Sequence, residues 1–288
     1  MRQTEEIKIG KYANVLMDRW FKRSFGTERG KRLLQLFLQE VIPERTIVEL
    51  QFEPQEHVNP EVMNKDVRID VECIDQDGAR FVVEVQVSPQ EGFYERAIYN
   101  ASFAIQEQMR RGESSYDFPP VYFIGIMNFS FHQGSDQVLY RYTVREVEND
   151  ELMSDRIQYL FLELPNCRKA MTPEASLLDN FCYTLRNMPT WEERPAGLDT
   201  EIFNLLFDSV EIANFAPGER KKYIYDMTTK RDIQNQIAYA RKEGLEKGLE
   251  KGKTETILSF IMAGATDEMV ATATGMSLEE IAALRPTL

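Results

Sequence analysis

The sequence has few of the residues that most often carry nucleophilic or metal chemistry. Its 288 residues include only two histidines, His57 and His132, and three cysteines, Cys73, Cys167 and Cys182. No two cysteines form a CxxC pair, so the chain offers neither a zinc knuckle nor a disulfide framework. Neither histidine has a second histidine or cysteine at ligand spacing. This scarcity argues against catalysis by histidine or by a thiol.

Long apolar runs and an excess of basic residues are also missing. No stretch approaches the roughly 18 apolar residues that span a bilayer, and the N-terminal residues contain no apolar signal core. We therefore expect a soluble, cytoplasmic protein with no membrane partner. Lys and Arg number 34 against 47 Asp and Glu, which gives a formal net charge of −13. Any contact with nucleic acid must therefore use a local basic patch or metal ions.

The spacing of apolar residues predicts alternating helices and strands. Residues 14–42 repeat apolar positions at intervals of three and four, which predicts a helix or helix pair that ends before Pro43. Residues 91–112 predict another helix, with Gly112 as its C-terminal cap. Runs rich in β-branched and aromatic residues predict strands at residues 46–54, 67–75, 79–87, 121–131, 137–146 and 157–165.

This order of elements predicts three segments. In residues 1–165 the strand, strand, helix, strand order indicates a mixed α/β sheet flanked by helices. Residues 166–235 predict a helical extension. Residues 236–288 predict a long helix followed by a small helical hairpin. We therefore expect an α/β fold with an all-helical C-terminal region.

The last segment carries a glycine stripe with two interpretations. Gly244, Gly248 and Gly252 share one helical face, where a second helix backbone can approach closely and form a dimer seam. The alternative is a solvated helix, weakened by about 0.5–1 kcal/mol per glycine relative to alanine. Residues 266–285 have the spacing of a helix-turn-helix core, but Glu279 and Glu280 oppose phosphate at the start of the second helix. We therefore favour a small helical hairpin for self-association or partner docking, and expect a homo-oligomer formed through the C-terminal helices.

Two neighbouring predicted strands carry acidic residues. Asp77-Gly78 is a strong turn signal, so residues 67–75 and 79–87 predict a hairpin. Its register brings Asp70 close to Glu84, and side chains directly opposite each other have Cβ atoms about 4.5–5.5 Å apart. Two carboxylates at that distance repel unless a cation or a shared proton lies between them. A divalent ion such as Mg²⁺ satisfies them, and it can activate water for phosphodiester hydrolysis.

The hairpin also has a plainer interpretation. Polar residues alternating with valines are typical of a half-exposed sheet whose polar side faces solvent. The hairpin alone therefore leaves both a metal site and a solvated surface open.

Several motifs in a shared order resemble a known family. They are DRWFKRSFG, RID with VEVQ, ERAIYNASFAIQEQMRRGESSY, PPVYFIGIMNF, FLELP, EIANFAPGERKKY, the glycine-striped helix and TGMSLEEI. Together they cover nearly the whole chain. In this combination the chain resembles the Rpn family of recombination-promoting nucleases, also labelled transposases, within the PD-(D/E)XK nuclease superfamily. The resemblance implies a restriction-endonuclease-like mixed sheet.

The resemblance assigns roles to four residues of the hairpin. It implies that Asp70 and Glu84 coordinate a metal ion, with the carbonyl of Val85 as a third ligand. Gln86 then takes the catalytic position where many superfamily members have lysine. Glutamine can orient the attacking water but cannot stabilise an anion as an ammonium does. A second departure is Ile69, which stands where the name-giving proline would be.

Four further polar residues are candidates for supporting roles. Lys65 precedes Asp70 and is a conceivable substitute for the missing lysine; the alternative is an ordinary solvated lysine. Arg96, Tyr99 and Gln108 match polar positions of the family's next helix. Arg96 and Tyr99 lie one turn apart, so they face the site together or pack the helix onto the sheet.

The first helical segment contains the best candidates for DNA contact. Its basic residues are interleaved with aromatic ones, and the alternative is a solvated face. The resemblance also implies an acidic residue of this helix near the metal, and the sequence leaves Asp18 and Glu28 open. The candidate DNA-binding residues are Lys22, Arg23, Arg29, Lys31 and Arg32.

These observations converge on one function and one alternative. The first is a metal-dependent DNA endonuclease that uses Mg²⁺, with Mn²⁺ as the other suitable ion, and that is linked by resemblance to recombination, horizontal DNA transfer or defence against foreign DNA. The alternative is a catalytically inactive nuclease fold that binds DNA or protein. Gln86 in the lysine position keeps this alternative open.

Overall fold

The computed structural model describes residues 10–53, 56–57, 67–68, 70–109 and 116–284. These residues form two compact units, one within Met1–Arg220 and one within Lys221–Leu288. The domain boundaries expected after residues 165 and 235 stay predictions. Across the described ranges, every helix is too short or too polar to cross a membrane.

The N-terminal segment folds as the predicted helix pair. Helix α1 spans Asp18–Phe25, a 3₁₀ turn spans Glu28–Gly30, and helix α2 spans Lys31–Val41. The turn is tight, because a Cβ at Gly30 would lie 2.1 Å from the backbone oxygen of Ser24. A residue without a side chain therefore allows α2 to begin directly beside α1, and both helices bury their apolar faces.

Six strands form one mixed sheet, which confirms the α/β class. The strands are β1 Leu50–Phe52, β4 Val71–Asp75, β5 Arg80–Gln86, β6 Val121–Met127, β7 Leu139–Arg145 and β8 Leu152–Glu163. Their order across the sheet is β1, β4, β5, β6, β8, β7. Strands β5, β6 and β8 are parallel to one another, and the other neighbouring pairs are antiparallel. A separate short ribbon pairs β2 Glu56–His57 with β3 Val67–Arg68.

The predicted hairpin of β4 and β5 is confirmed. Its turn places Gly78 at φ 83°, a left-handed conformation that glycine adopts without strain. Asp75 stabilises the turn, since its Oδ1 accepts hydrogen bonds from the backbone N–H groups of Asp77 and Ala79, both at 3.0 Å. The resulting register pairs Val71 with Val83.

Helix α3, Phe93–Gln106, packs against β5 and β6. Its small residues Ala97, Ala101 and Ala104 allow a close approach and form a buried cluster with Val82 and other apolar residues of the sheet. The opposite face of β5 is buried as well. The half-exposed sheet considered above is therefore wrong for β5, which is a central strand covered on both sides.

The remaining helices complete the two units. Helices α4, Leu177–Asn187, and α5, Glu201–Val210, pack on α1 and α2 in the first unit. Helix α6 spans Pro217–Met262. In the second unit, α7 Asp267–Thr274 and α8 Leu278–Leu284 form the predicted hairpin, with Val270 and Ile281 in a small core with two isoleucines of α6.

Candidate functional site

The hairpin brings Asp70 beside strand β5. Asp70 lies in a bend one residue before β4, and continuing the register of Val71 with Val83 by one residue places it opposite Glu84. Its Oδ2 accepts a hydrogen bond of 2.8 Å from the backbone N–H of Val85. This bond holds the Asp70 carboxylate against the backbone near the C-terminal end of β5. Its second oxygen, Oδ1, is left available to a cation.

Glu84 is buried beneath helix α3. Its carboxylate accepts a hydrogen bond from the side-chain amide of Asn100, and its Oε2 lies 3.7 Å from a guanidinium nitrogen of Arg96. Burial raises the pKa of Glu84 above its ordinary value, although Arg96, Asn100 and Lys22 counteract the rise. A buried carboxylate with only partial compensation favours a bound cation.

Helix α1 supplies a third acid, Asp18 in its first turn, and an ammonium group, Lys22 in its last turn. The Nζ atom of Lys22 lies 3.0 Å from Asp18 Oδ1 and 3.6 Å from Asp70 Oδ1. The carboxyl group of Asp18 also lies near enough to that of Asp70 for each group to shift the pKa of the other. Glu28, by contrast, forms a surface ion pair of 2.6 Å with Lys31. The structure thus brings Asp18, and not Glu28, to the hairpin.

The pKa values of the neighbouring acids Asp18 and Asp70 are shifted in opposite directions. Burial, followed by the hydrogen bond to Asp18, raises the pKa of Asp70 to about 7. Burial also acts on Asp18, but the hydrogen bonds with Asp70 and Lys22 outweigh it and lower the pKa of Asp18. The pair therefore holds one proton readily, and a metal ion would replace that proton.

Gln86 ends strand β5 on the same face as Glu84, because side chains two residues apart on a strand share a face. It is half-buried, and its backbone oxygen accepts a hydrogen bond of 2.9 Å from the N–H of Asn128. Within the described ranges its side-chain amide has no hydrogen-bond partner, so it is available to bind water or a ligand.

The donor set fits a hard divalent cation. Within the described part of the chain, no three His, Cys, Asp or Glu side chains already converge as a metal site. Nevertheless, the oxygens of Asp70 and Glu84 are the ligand type that Mg²⁺ and Mn²⁺ prefer. A cation already lies against Asp70 Oδ1, in the form of the ammonium of Lys22. Val85, whose carbonyl is the third predicted ligand, is fixed beside Asp70 by its N–H.

The four predicted supporting residues fall in different places. Arg96 reaches Glu84, and it also donates a hydrogen bond of 2.5 Å to Gln90. Tyr99 packs against the buried cluster between α3 and the sheet, with its ring 5.0 Å from that of Phe103.

Gln108 lies away from the two carboxylates. Gln108 donates a hydrogen bond of 3.0 Å to the backbone oxygen of Ala104. It lies two turns beyond Asn100, about 12 Å along the helix axis, so the structure places it away from Glu84. Lys65 lies outside the described residues.

Most of the predicted DNA-binding residues are ion-paired with acids. Arg23 contacts Glu219 at 2.8 Å, and Arg32 contacts Glu201 through two bonds of 2.9 and 3.0 Å. Lys31 is paired with Glu28, as described above. Arg29 is exposed on the turn between α1 and α2. Four of the five residues therefore already have acidic partners, which reduces the positive charge that they offer to DNA.

Sequence reasoning missed Asn100 and the position of Lys22. Asn100 is a polar residue on the alanine-lined face of α3, one turn after Arg96, and that break in an apolar face was the available signal. Lys22 was predicted to contact DNA. Its placement against Asp70 depends on how α1 packs beside the hairpin, which no local pattern encodes.

Comparison with known families agrees with this geometry. The model of the PD-(D/E)XK nuclease family transposases matches residues 15–240. The chain belongs to this family. The matched residues include both carboxylates of the hairpin, helix α1 and all six strands of the sheet. The match confirms the resemblance drawn from the sequence motifs. No curated protein and no solved structure matches the chain.

Proposed function

We propose that this member of the PD-(D/E)XK nuclease family is a DNA endonuclease that requires a divalent metal ion, Mg²⁺ or Mn²⁺. One observation carries the proposal. The hairpin places the largely buried carboxylates of Asp70, just before β4, and Glu84, on β5, opposite each other, on the side of β5 where the Gln86 amide is free to bind water. Burial raises the pKa of both Asp70 and Glu84, and buried acids with raised pKa values in a nuclease fold are typical of a metal-dependent hydrolase.

The reaction is hydrolysis of a phosphodiester. The oxygen of a water molecule adds to phosphorus, and the bond from phosphorus to the leaving sugar oxygen breaks. One water proton passes to solvent, and the leaving oxygen takes up a proton. Water is the only co-reactant.

Each residue of the site has a part in this reaction. Asp70 and Glu84, with the carbonyl of Val85, would hold the metal ion. When bound, such an ion would lower the pKa of a water molecule and offset charge on the phosphate. Gln86 orients the water through its amide. Asn100 and Arg96 keep the Glu84 carboxylate in place.

The wider setting of the activity follows from the family alone. We propose that the substrate is cellular or incoming DNA, and that cleavage serves recombination, horizontal DNA transfer or defence in the cytoplasm. We also propose self-association through helices α6 to α8. Among the described residues, a Cβ atom at Gly244, Gly248 or Gly252 would meet nothing within 4 Å beyond its own stretch of helix, so a second helix has room to approach.

One observation favours the alternative of an inactive binding protein. The ammonium of Lys22 already neutralises Asp18 and Asp70 at 3.0 and 3.6 Å, which satisfies the acidic pair without metal. Gln86 adds no positive charge. In this alternative, the fold retains the family's surface and binds DNA without cutting it.

Cleavage of supercoiled plasmid separates the two functions. The purified protein is incubated with plasmid and Mg²⁺ or Mn²⁺, beside Asp70→Asn and Glu84→Gln. We expect the wild type to nick the plasmid, and each variant to be slower by on the order of 100-fold or more, because each loses a charged metal ligand.

Glu95→Gln is the matched control, since Glu95 is exposed on helix α3 close to the site. It should cut at the wild-type rate. Equal rates for the wild type and both site variants would show that the nicking comes from a contaminant, and would leave the binding protein as the function.

A further inference from the structure

The proposed reaction lacks a cation at one position. Phosphodiester hydrolysis builds negative charge on the phosphate, and a lysine two residues after Glu84 would face that charge. Gln86 occupies this position and is neutral at every pH. A nuclease with this sequence therefore needs a positive charge from another element.

Lys22 is the one predicted DNA-binding residue whose acidic partners belong to the site. Arg23, Lys31 and Arg32 are paired with Glu219, Glu28 and Glu201, respectively, on other elements. Lys22 instead lies 3.0 Å from Asp18 and 3.6 Å from Asp70. Its charge also reaches Glu84 and lowers the pKa of that carboxyl.

The surroundings of Lys22 allow its ammonium to contact different partners in the presence and in the absence of a bound metal ion. Its side chain is 29% exposed, so the end of the chain is not locked in the core. A lysine ammonium is a point charge on a flexible four-carbon stem, and it can shift between partners without moving the backbone. A divalent ion on Asp70 and Glu84 would repel this ammonium from Oδ1 of Asp70. The ammonium would then be within reach of the C-terminal end of β5, where the proposed reaction places the phosphate.

We propose that Lys22, from helix α1, supplies the positive charge that the lysine of the hairpin motif would supply. The inference rests on the proposed endonuclease activity. Without metal, the ammonium neutralises Asp18 and Asp70. With metal and DNA bound, it faces the phosphate and offsets the charge that develops as water adds to phosphorus. Position 86 is thereby free to carry glutamine.

The test combines plasmid cleavage with metal titration. Four proteins are compared: the wild type, Lys22→Met, Gln86→Lys, and the double variant Lys22→Met/Gln86→Lys. Methionine keeps the length of the stem and removes the charge. Lys11→Met is the control, since Lys11 lies on the surface in an ion pair with Glu211. Binding of Mn²⁺ is measured by calorimetry without DNA, and folding is checked by thermal unfolding.

In Lys22→Met we expect the cleavage rate to fall and the affinity for Mn²⁺ to rise. Lys22→Met should cut on the order of 100-fold more slowly, because the charge near the phosphate is lost. It should bind Mn²⁺ about tenfold more tightly, because a like charge no longer competes for the carboxylates. The double variant should recover most of the cleavage rate. A merely structural role for Lys22 would weaken both cleavage and metal binding, and lysine at position 86 would not restore either.

Each contrary outcome is distinguishable. If the wild type cuts and Lys22→Met cuts equally fast, the inference about Lys22 fails and the endonuclease stands. Failure of rescue in the double variant, or unchanged or weaker Mn²⁺ binding by Lys22→Met, likewise overturns the inference alone. If the wild type does not cut but Gln86→Lys does, the proposed activity fails, and Lys22 is not a substitute for the missing lysine. If neither cuts, both proposals fail.

Discussion

Asp70 is held between an acid and an ammonium group, and its protonation governs what the site can bind. Its Oδ2 is fixed by the N–H of Val85, while its other side faces Asp18 and Lys22. Neighbours of opposite charge on one carboxyl allow it to exchange a proton for a cation near neutral pH. The protonation of Asp70 should therefore affect the free energy of unfolding, and this effect is measurable without DNA or metal.

Replacing Asp70 with asparagine should change how stability depends on pH. Burial and the hydrogen bond to Asp18 raise the pKa of Asp70 in the folded protein to about 7, above the ordinary value of 3.8. Between these two values unfolding releases a proton, so the free energy of unfolding of the wild type falls as pH rises. Asparagine has no such proton to release, so Asp70→Asn removes this decrease in the free energy of unfolding with pH. Relative to the wild type, the variant should gain on the order of 2 kcal/mol between pH 5 and pH 8.

Urea denaturation in the presence of a chelator measures this difference. The matched control is Asp155→Asn, at an exposed aspartate of strand β8; a gain that appears equally in both variants would not come from Asp70. A gain for Asp70→Asn that does not grow with pH would mean that the carboxyl ionises in the folded chain as it does in the unfolded one.

The residues of the site were predictable to different degrees. The pairing of Asp70 with Glu84 follows from the two-residue period of a strand and from one turn signal, Asp77-Gly78, both of which are local. Asn100 and Lys22 reach the same place from helices. Their contacts depend on how α3 and α1 pack, and a sequence period describes only the face of a helix, not what that face meets.

Helices and strands were predicted at nearly all the positions where the structure has them, but not their order in the sheet. Strand β8 begins at Leu152, five residues before the predicted start, and it lies between β6 and β7. The β-branched content of residues 157–165 marked only its buried half. The first half is largely exposed, and it pairs with β7 through a register shift that no alternation pattern reveals.

The glycines of helix α6 make a prediction at the level of this element. Replacing Gly244, Gly248 and Gly252 together with alanine should stabilise the isolated helix by about 0.5–1 kcal/mol per site. The added Cβ atoms should also block the close approach of a second helix. We expect the triple variant to keep its helical circular dichroism while its oligomers dissociate in size-exclusion chromatography with light scattering.

The control is Glu246→Ala/Lys253→Ala, because these two exposed residues lie on the opposite side of the helix, about 140–160° around the axis from Gly248. This variant should assemble like the wild type. If the triple glycine variant also assembles like the wild type, the glycine face is not the seam.

At the scale of the whole molecule, the net charge of −13 and the pairing of basic residues limit how the DNA of the proposed reaction would be held. Phosphate binding by free lysines and arginines makes affinity fall steeply with salt. Here Arg23 and Arg32 are already neutralised by acidic partners. We therefore expect the metal ion to contribute much of the affinity, and the salt dependence to be shallow.

Fluorescence polarisation of a labelled duplex tests this expectation. With Ca²⁺ present as an oxygen-binding ion, the wild type should bind DNA with a slope that corresponds to about one or two released counterions. A chelator should abolish binding, and Asp70→Asn/Glu84→Gln should not respond to Ca²⁺. A slope of six or more, unaffected by the chelator, would instead point to an extended basic surface.

The turn of the hairpin has a consequence for how this sequence tolerates change. Asp75 fixes the number of residues in the turn by accepting two backbone N–H groups, about 16 Å along the strand from Asp70. One inserted residue there would leave the composition of both strands intact, yet it would rotate Asp70 and Glu84 to opposite sides of the sheet. Single-residue length variation should therefore be tolerated less at this exposed turn than many substitutions are in the core.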